Sequence, residues 1–453
     1  MKLHYYLLFI LAILVYSCGA PEKKQAPLVN KPPAPDSALT KGICLDGIPC
    51  RKDPTQNYSL YIPTHYTPAK NWPIIYAFDA HGAGKMAVDK YKELAEHYGY
   101  ILVASNSSKN GLSGDAIVSI VTNLFDDSQE RLHIDRNRIY TAGFSGGSRI
   151  ACSIALNSGI AGVIACSAGF PADQALPAKV CFIGFAGNAD MNLLEMENLN
   201  HKLDQSKLPH EFITFEGKHE WPPAEVLSDA FAWFEMNAMK DQRIARNDSL
   251  IKSFIQVHEN KMNQFMQLGK SFEAYKVGKQ LINYLNGLSD VGSYKRKCLE
   301  LDHGGKIQQT ILENIQLEKK ELAKQQEYQE AVASKDINWW KKEVGNLSNP
   351  VKDEKNGGNG LLNKRLLSYL SLQMYMYANH TLNNNQLEQA AYFLTLYKLV
   401  DPENTEAYYL SAQLFARQGD LNKATLELKE AQRLGFDDQQ RLQQDPLLRS
   451  IRL

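Results

Sequence analysis

At 453 residues with 44% hydrophobic content, the chain exceeds one typical domain and has ample apolar material for the cores of two or three. Lysine plus arginine and aspartate plus glutamate each number 50, so the formal net charge is zero and no long block of one sign stands out. That balance gives no basis for a nucleic-acid partner held by a basic surface.

The N-terminus reads Lys2, an apolar stretch from Leu7 to Val15, then Tyr16-Ser17-Cys18-Gly19. This resembles a bacterial lipoprotein signal, in which cleavage precedes a cysteine that is then lipidated. The resemblance implies a signal peptide over 1–17, lipidation at Cys18, and an exported protein anchored in the cell envelope on its periplasmic or surface face. The alternatives are a plain signal peptide or an uncleaved anchor, although so short an apolar run makes a poor span. Pro21 to Pro35 is rich in Pro, Lys and Ala with hardly any apolar bulk, so residues 18–40 read as a tether. Cys44 and Cys50 bracket a turn-like Leu-Asp-Gly-Ile-Pro, and export makes a disulfide between them an expectation. Cys152, Cys166 and Cys181 lie in apolar stretches and read as small buried hydrophobes. Cysteine spacing gives no zinc site.

Residues 41–240 alternate short β-rich runs with amphipathic segments. Strands are predicted at Tyr58 to Ile62, Ile74 to Phe78, Tyr100 to Ser105, Arg138 to Ala142, Gly162 to Cys166, Val180 to Phe185 and Glu211 to Phe215. Helices are predicted at Val88 to His97, Asp115 to Leu132, Ser145 to Asn157, Leu193 to Gln205 and Pro223 to Met239. Several strands are apolar nearly throughout, as strands covered on both faces are, which predicts an α/β fold with a doubly wound, mostly parallel sheet. After Lys240 the composition turns to Lys, Glu, Gln, Leu and Asn at helical spacing. Residues 241–345 read as a helical region, 346–360 as a linker rich in Asn, Gly and Lys, and 361–453 as helical repeats. In the last segment Ala378, Leu387, Ala390 and Leu394 match Ala412, Leu421, Ala424 and Leu428, each 34 residues on. With Asp401-Pro402 and Gly419-Asp420 at the turns, this resembles the tetratricopeptide repeat, and it implies a surface for a protein partner or for substrate recruitment. A generic helical hairpin is the alternative.

Gly143-Phe144-Ser145-Gly146-Gly147 sits between a predicted strand and a predicted helix, the context in which a G-x-S-x-G serine is lifted clear of a sheet as a nucleophile. Such a serine needs a base and an acid to orient that base, and both follow in the order acid then histidine: Asp190 in Gly187-Asn188-Ala189-Asp190, and His219 in Gly217-Lys218-His219-Glu220-Trp221-Pro222. Asp173 and Glu216 are alternative acids, His201 and His210 alternative histidines. Together with Asp79-Ala80-His81-Gly82-Ala83-Gly84 after the second strand, the set resembles the α/β-hydrolases, specifically the exported esterases related to polyhydroxybutyrate depolymerases and feruloyl esterases, over roughly Tyr58 to Met239. The resemblance implies Ser145 as nucleophile, His219 as base and Asp190 as its orienting carboxylate. It also implies an oxyanion hole from N–H groups at Gly82 or Ala83 and at Gly146, with no cofactor and no metal. Trp221 is a candidate substrate contact by stacking, with packing at the loop-to-helix junction as the alternative. Only a short connection separates Cys166 from Val180, leaving no room for a lid, and the open cleft suits esters on a bulky molecule such as an acylated polysaccharide. A serine peptidase on the same fold and a noncatalytic repeat scaffold with a degenerate hydrolase domain are the competing readings.

Overall fold

Among the described residues one sheet contains eight strands: β1 (Cys44–Pro49), β2 (Asn57–Tyr61), β3 (Trp72–Phe78), β4 (Ile101–Ser105), β5 (Ile134–Phe144), β6 (Gly162–Cys166), β7 (Cys181–Gly187) and β8 (His210–Phe215). Their order is β1-β2-β4-β3-β5-β6-β7-β8. The β1–β2 and β2–β4 pairs are antiparallel, and every pair from β4–β3 onward is parallel. The structure, a computed structural model, describes residues 39–177, 179–351 and 357–451. The expected signal peptide, Cys18 and most of the tether lie outside the described residues.

Helices α1 (Gly84–Tyr98), α2 (Gly114–Arg131), α3 (Gly146–Asn157), α4 (Leu193–Asp204) and α5 (Ala224–Lys240) follow the strands of this sheet. Alternation along β3 explains the two-sided burial: Ile74, Tyr76 and Phe78 enter one apolar layer with Ala151, Cys152 and Leu199, while Ile75 and Ala77 enter the other with Val88, Tyr91 and Phe231. This is the doubly wound, mostly parallel α/β architecture expected from the sequence.

Three expectations are corrected. The Cys44–Cys50 segment is an edge strand, not a turn: Gly47 takes a φ of +66°, and the pairing with β2 shifts register between Leu45 and Ile48. A bulge tolerates the Gly and Pro that made the segment read as a loop. An extended strand separates the two cysteines by on the order of 15 Å, beyond disulfide reach, and both thiols are free.

The boundary at 240/241 is not a packing boundary. Helix α5 buries Phe231, Trp233 and Phe234 together with Ala230 and Ala232, so it is apolar nearly all round and must be covered on the side away from the sheet. Helices α6 (Asp248–Gln267), α7 (Ser271–Leu285) and α8 (Gly292–Leu301) supply that cover, with Ile251, Phe254, Leu281 and Tyr284 joining the layer that contains α5. Tyr284 packs on Trp233 at 4.8 Å between ring centroids and stacks on Phe254 at 4.6 Å. The chain accordingly divides into one unit of residues up to Asn188 with Asn192–Glu313, and another of Ala189–Met191 with Asn314–Leu453.

From Asn314 onward the second unit is helical among the described residues. It takes the later part of α9 (Lys306–Ser334), then α10 (Ile337–Val351), α11 (Gly357–Asn383), α12 (Leu387–Val400), α13 (Thr405–Arg417), α14 (Leu421–Arg433) and the short α15 (Gln439–Gln444). The expected linker is the third correction. Residues 346–351 continue α10, whose Trp340, Val344 and Leu347 recur at helical spacing and are buried, and 357–360 belong to α11. Ala378, Ala390, Leu394, Ala412, Ala424 and Leu428 are all buried in this unit's core, whereas Leu421 is 51% exposed. Among the described residues no helix is long and apolar enough to cross a membrane.

Candidate active site

Strand β5 ends at Phe144 and α3 begins at Gly146, which leaves Ser145 alone on the reversal between them. Its φ of 54° and ψ of −121° lie outside the broad allowed regions for a residue with a Cβ, a strain of about 1–3 kcal/mol that the surrounding packing must hold. That packing is tight on both flanks. A Cβ on Gly143 would come 2.2 Å from the Gly147 carbonyl oxygen, and one on Gly147 would come 2.1 Å from that of Phe78. The Ser145 N–H donates to Cys166 at 2.9 Å, which ties the turn to β6, and its carbonyl accepts from the N–H groups of Ser148 and Arg149. Gly146, first in α3, carries an N–H with no partner inside the helix, at the positive end of the helix dipole.

His219 reaches this turn from the loop after β8. Its Nε2 lies 2.9 Å from Ser145 Oγ. The imidazole packs on Phe144 at 4.7 Å between centroids, and Phe144 in turn packs on Trp221 at 5.8 Å. Lys90 and Tyr91 of α1 clamp the loop by donating to the carbonyls of Trp221 and Pro222 at 3.0 and 2.7 Å. The ring is thus positioned by a packed loop and not by its own side-chain freedom.

Asp190 lies between β7 and α4 and is fully buried. The alternative acids Asp173 and Glu216 are both exposed. His201 is exposed on α4, and the ring nitrogens of His210 lie 3.0 Å from the Leu208 carbonyl oxygen and 3.1 Å from Asp204 Oδ1, so neither is the histidine at Ser145.

The loop after β3 is built on Asp79. Burial works to raise the pKa of this carboxyl, but donation from the His81 side chain, from the Trp221 indole and from the backbone N–H groups of His81 and Ala83 overrides it and brings the pKa down to about 2. The Trp221 Nε1–H bond is 2.8 Å and that of the His81 N–H is 2.8 Å. The same carboxylate raises the pKa of the exposed His81 ring.

Two sequence-based expectations change here. Trp221 is buried, with its indole N–H on Asp79 and its ring against Phe144 and Tyr91, so it is a structural bracket and not a substrate contact. The N–H groups of Gly82 and Ala83 both turn back to Asp79, the first to its carbonyl oxygen and the second to Oδ1, each at 3.3 Å. An aspartate two or more residues before a tight turn competes for those donors, as Asx turns do. Asn110, on the connection between β4 and α2, was not legible from the sequence: a single Asn in a Ser, Asn and Gly segment carries no signal, yet a Cβ on Gly146 would come 1.8 Å from its Oδ1.

No protein-family model and no curated protein matches the chain. Among solved structures it is similar to an esterase from Pyrobaculum calidifontis, at 15% identity over 44% of this chain and 87% of that one, with a TM-score of 0.36. It is also similar to an S-formylglutathione hydrolase from Staphylococcus aureus, at 15% identity over 42% and 95% of the two chains with a TM-score of 0.34. Another such hydrolase, from Agrobacterium tumefaciens, is 14% identical over 40% and 88%, with a TM-score of 0.32.

Proposed function

We propose that the chain is a serine hydrolase of carboxylic esters, with Ser145 as nucleophile, His219 as base and then acid, and Asp190 as the carboxylate that orients His219. The observation that carries this reading is the 2.9 Å hydrogen bond between His219 Nε2 and a serine on a strained strand-to-helix turn. Ser145 Oγ attacks the ester carbonyl carbon as its proton passes to Nε2, and the charge that forms on the carbonyl oxygen is met by the Gly146 N–H. Collapse expels the alcohol, which takes the proton from His219, and leaves an acyl group on Ser145. Water, deprotonated by His219, then releases the acid. An aryl fluorophosphonate applied to the full chain should label Ser145, and Ser145→Ala should lose both the label and hydrolysis of p-nitrophenyl acetate without change in thermal unfolding. Folded protein that takes no label would end the reading.

The reading extends to the rest of the chain. Lipidation at Cys18 would anchor the enzyme in the envelope, and Cys18→Ser should release it from membranes; equal retention would point to an uncleaved signal. The burial of Ala378, Ala390, Ala412 and Ala424 at 34-residue spacing supports tetratricopeptide-type repeats, which would recruit a protein partner or an acylated polysaccharide to the esterase.

A further inference from the structure

We infer that the side chain of Asn110 donates a hydrogen bond to the substrate's carbonyl oxygen, alongside the N–H of Gly146. The inference rests on the proposed ester hydrolysis at Ser145 and adds to it a donor that does not come from the loop after β3.

The connection between β4 and α2 is locked onto that loop. The Asn110 N–H donates to the Ala80 carbonyl at 2.8 Å, and at Gly82, where φ is +74°, a Cβ would come 2.9 Å from the Asn106 carbonyl oxygen and 3.3 Å from that of Ser108. This anchoring sets the Asn110 carboxamide against Gly146, one residue from the nucleophile. A Cβ at Gly146 would come 1.8 Å from Oδ1 and 3.2 Å from Nδ2, so the carboxamide fills the space that a side chain at 146 would need. Among the described residues it has no hydrogen-bond partner, and the residue is exposed. An exposed amide on an anchored backbone, at the edge of a serine turn and with no protein acceptor for its N–H groups, is free to turn from solvent to a bound carbonyl oxygen.

Chemistry calls for such a donor. When Ser145 Oγ bonds to the carbonyl carbon, the π electrons move to the carbonyl oxygen, and a lone N–H is weak compensation for a full negative charge. The N–H groups of Gly82 and Ala83 are turned to Asp79. Rotation about the terminal torsion of Asn110 aims Nδ2 without moving the backbone.

The test compares Asn110→Ala with Asn110→Asp in the full chain, reading p-nitrophenyl acetate hydrolysis and the rate of fluorophosphonate labelling at Ser145. Loss of one oxyanion donor should lower kcat about a hundredfold in the Ala variant with KM and thermal unfolding nearly unchanged. The Asp variant keeps the shape against Gly146 but sets a carboxylate beside the developing charge, so it should fall further. An Asp variant as active as the parent, or an Ala variant with parental kcat and normal labelling, would show that the carboxamide merely fills space. Absence of labelling in the parent protein would instead remove the hydrolase reading, and this inference with it.

Discussion

Asp79 and Trp221 are separated by 142 positions in the chain and joined by one hydrogen bond, and that separation explains why the sequence suggested substrate stacking for the tryptophan. Neither residue type nor local pattern reveals a buried acceptor on another loop. Trp221→Phe keeps the ring packing on Phe144 and Tyr91 but removes a donor from a buried carboxylate, and should cost about 1.5–3 kcal/mol in urea unfolding. The pH dependence follows in sign. The Asp79 pKa in the folded chain, about 2, lies below the roughly 3.9 of an unfolded aspartate. Its stabilisation is therefore fully present above about pH 4 and is lost as pH falls towards about 2. The stability gap between the parent and Asp79→Asn should be level between about pH 4 and about pH 6, narrow above that as His81, whose pKa Asp79 raises, loses its proton, and close over the acid window. A gap that stays open through it would mean that the ionised carboxylate is not what holds the loop. By contrast, Ser145 and His219 were legible at once, because strand, small-residue turn and helix are adjacent in sequence and the histidine follows a strand in the expected order.

Elements with strong periodicity were legible to within a few residues, and those that rely on partners were not. β6 was read with its observed bounds because Val163 to Cys166 is an apolar run set between Gly162 and Ser167. β1 was missed because an edge strand with a bulge needs neither alternation nor β-formers. Within the nucleophile turn, two neighbouring glycines have different reasons to be small, and this separates them by experiment. A Cβ on Gly147 meets the Phe78 backbone, which cannot move without displacing β3, whereas the three atoms nearest a Cβ on Gly146 all belong to the exposed Asn110 side chain. Gly147→Ala should therefore lose about 3 kcal/mol, and Gly146→Ala far less, by thermal unfolding. Comparable losses in the two would contradict this division. In the helical unit, Arg365 on α11 holds Glu321 on α9 through Nε and Nη2 at 2.8 and 2.7 Å, with both side chains buried. Burial pushes the Glu321 carboxyl up and the guanidinium pulls it back only in part. Arg365→Met leaves an unpaired buried acid and should cost about 3–5 kcal/mol, most of it regained when Glu321→Leu is added. Failure of the double variant to recover in a chemical-unfolding titration would assign the pair a role beyond neutralising charge.

At the scale of the whole molecule, composition marked where strands stop but not where a core ends. The change at Lys240 is a change in secondary structure, while packing around α5 continues through Tyr284 and Tyr294. A helical stretch rich in Lys, Glu and Gln hides a buried stripe of Ile251, Phe254 and Met262 at spacings of three and eight residues, and the stripe alone does not say what it covers. Two truncations separate the alternatives. A chain ending at His303 retains α6 to α8 and should stay soluble, unfold in one transition and take the fluorophosphonate label at Ser145. A chain ending at Lys240 exposes the outer face of α5, where Trp233 loses Tyr284 and Asp229 loses its bonds from Gln280 and Tyr284; each large side chain returned to water forfeits about 1.5–3 kcal/mol, a large share of the roughly 5–15 kcal/mol that a whole domain commands. It should aggregate or unfold at much lower urea. Equal stability of the two chains would make the sheet and its five helices self-sufficient, and would restore the boundary at Lys240 that the composition suggested.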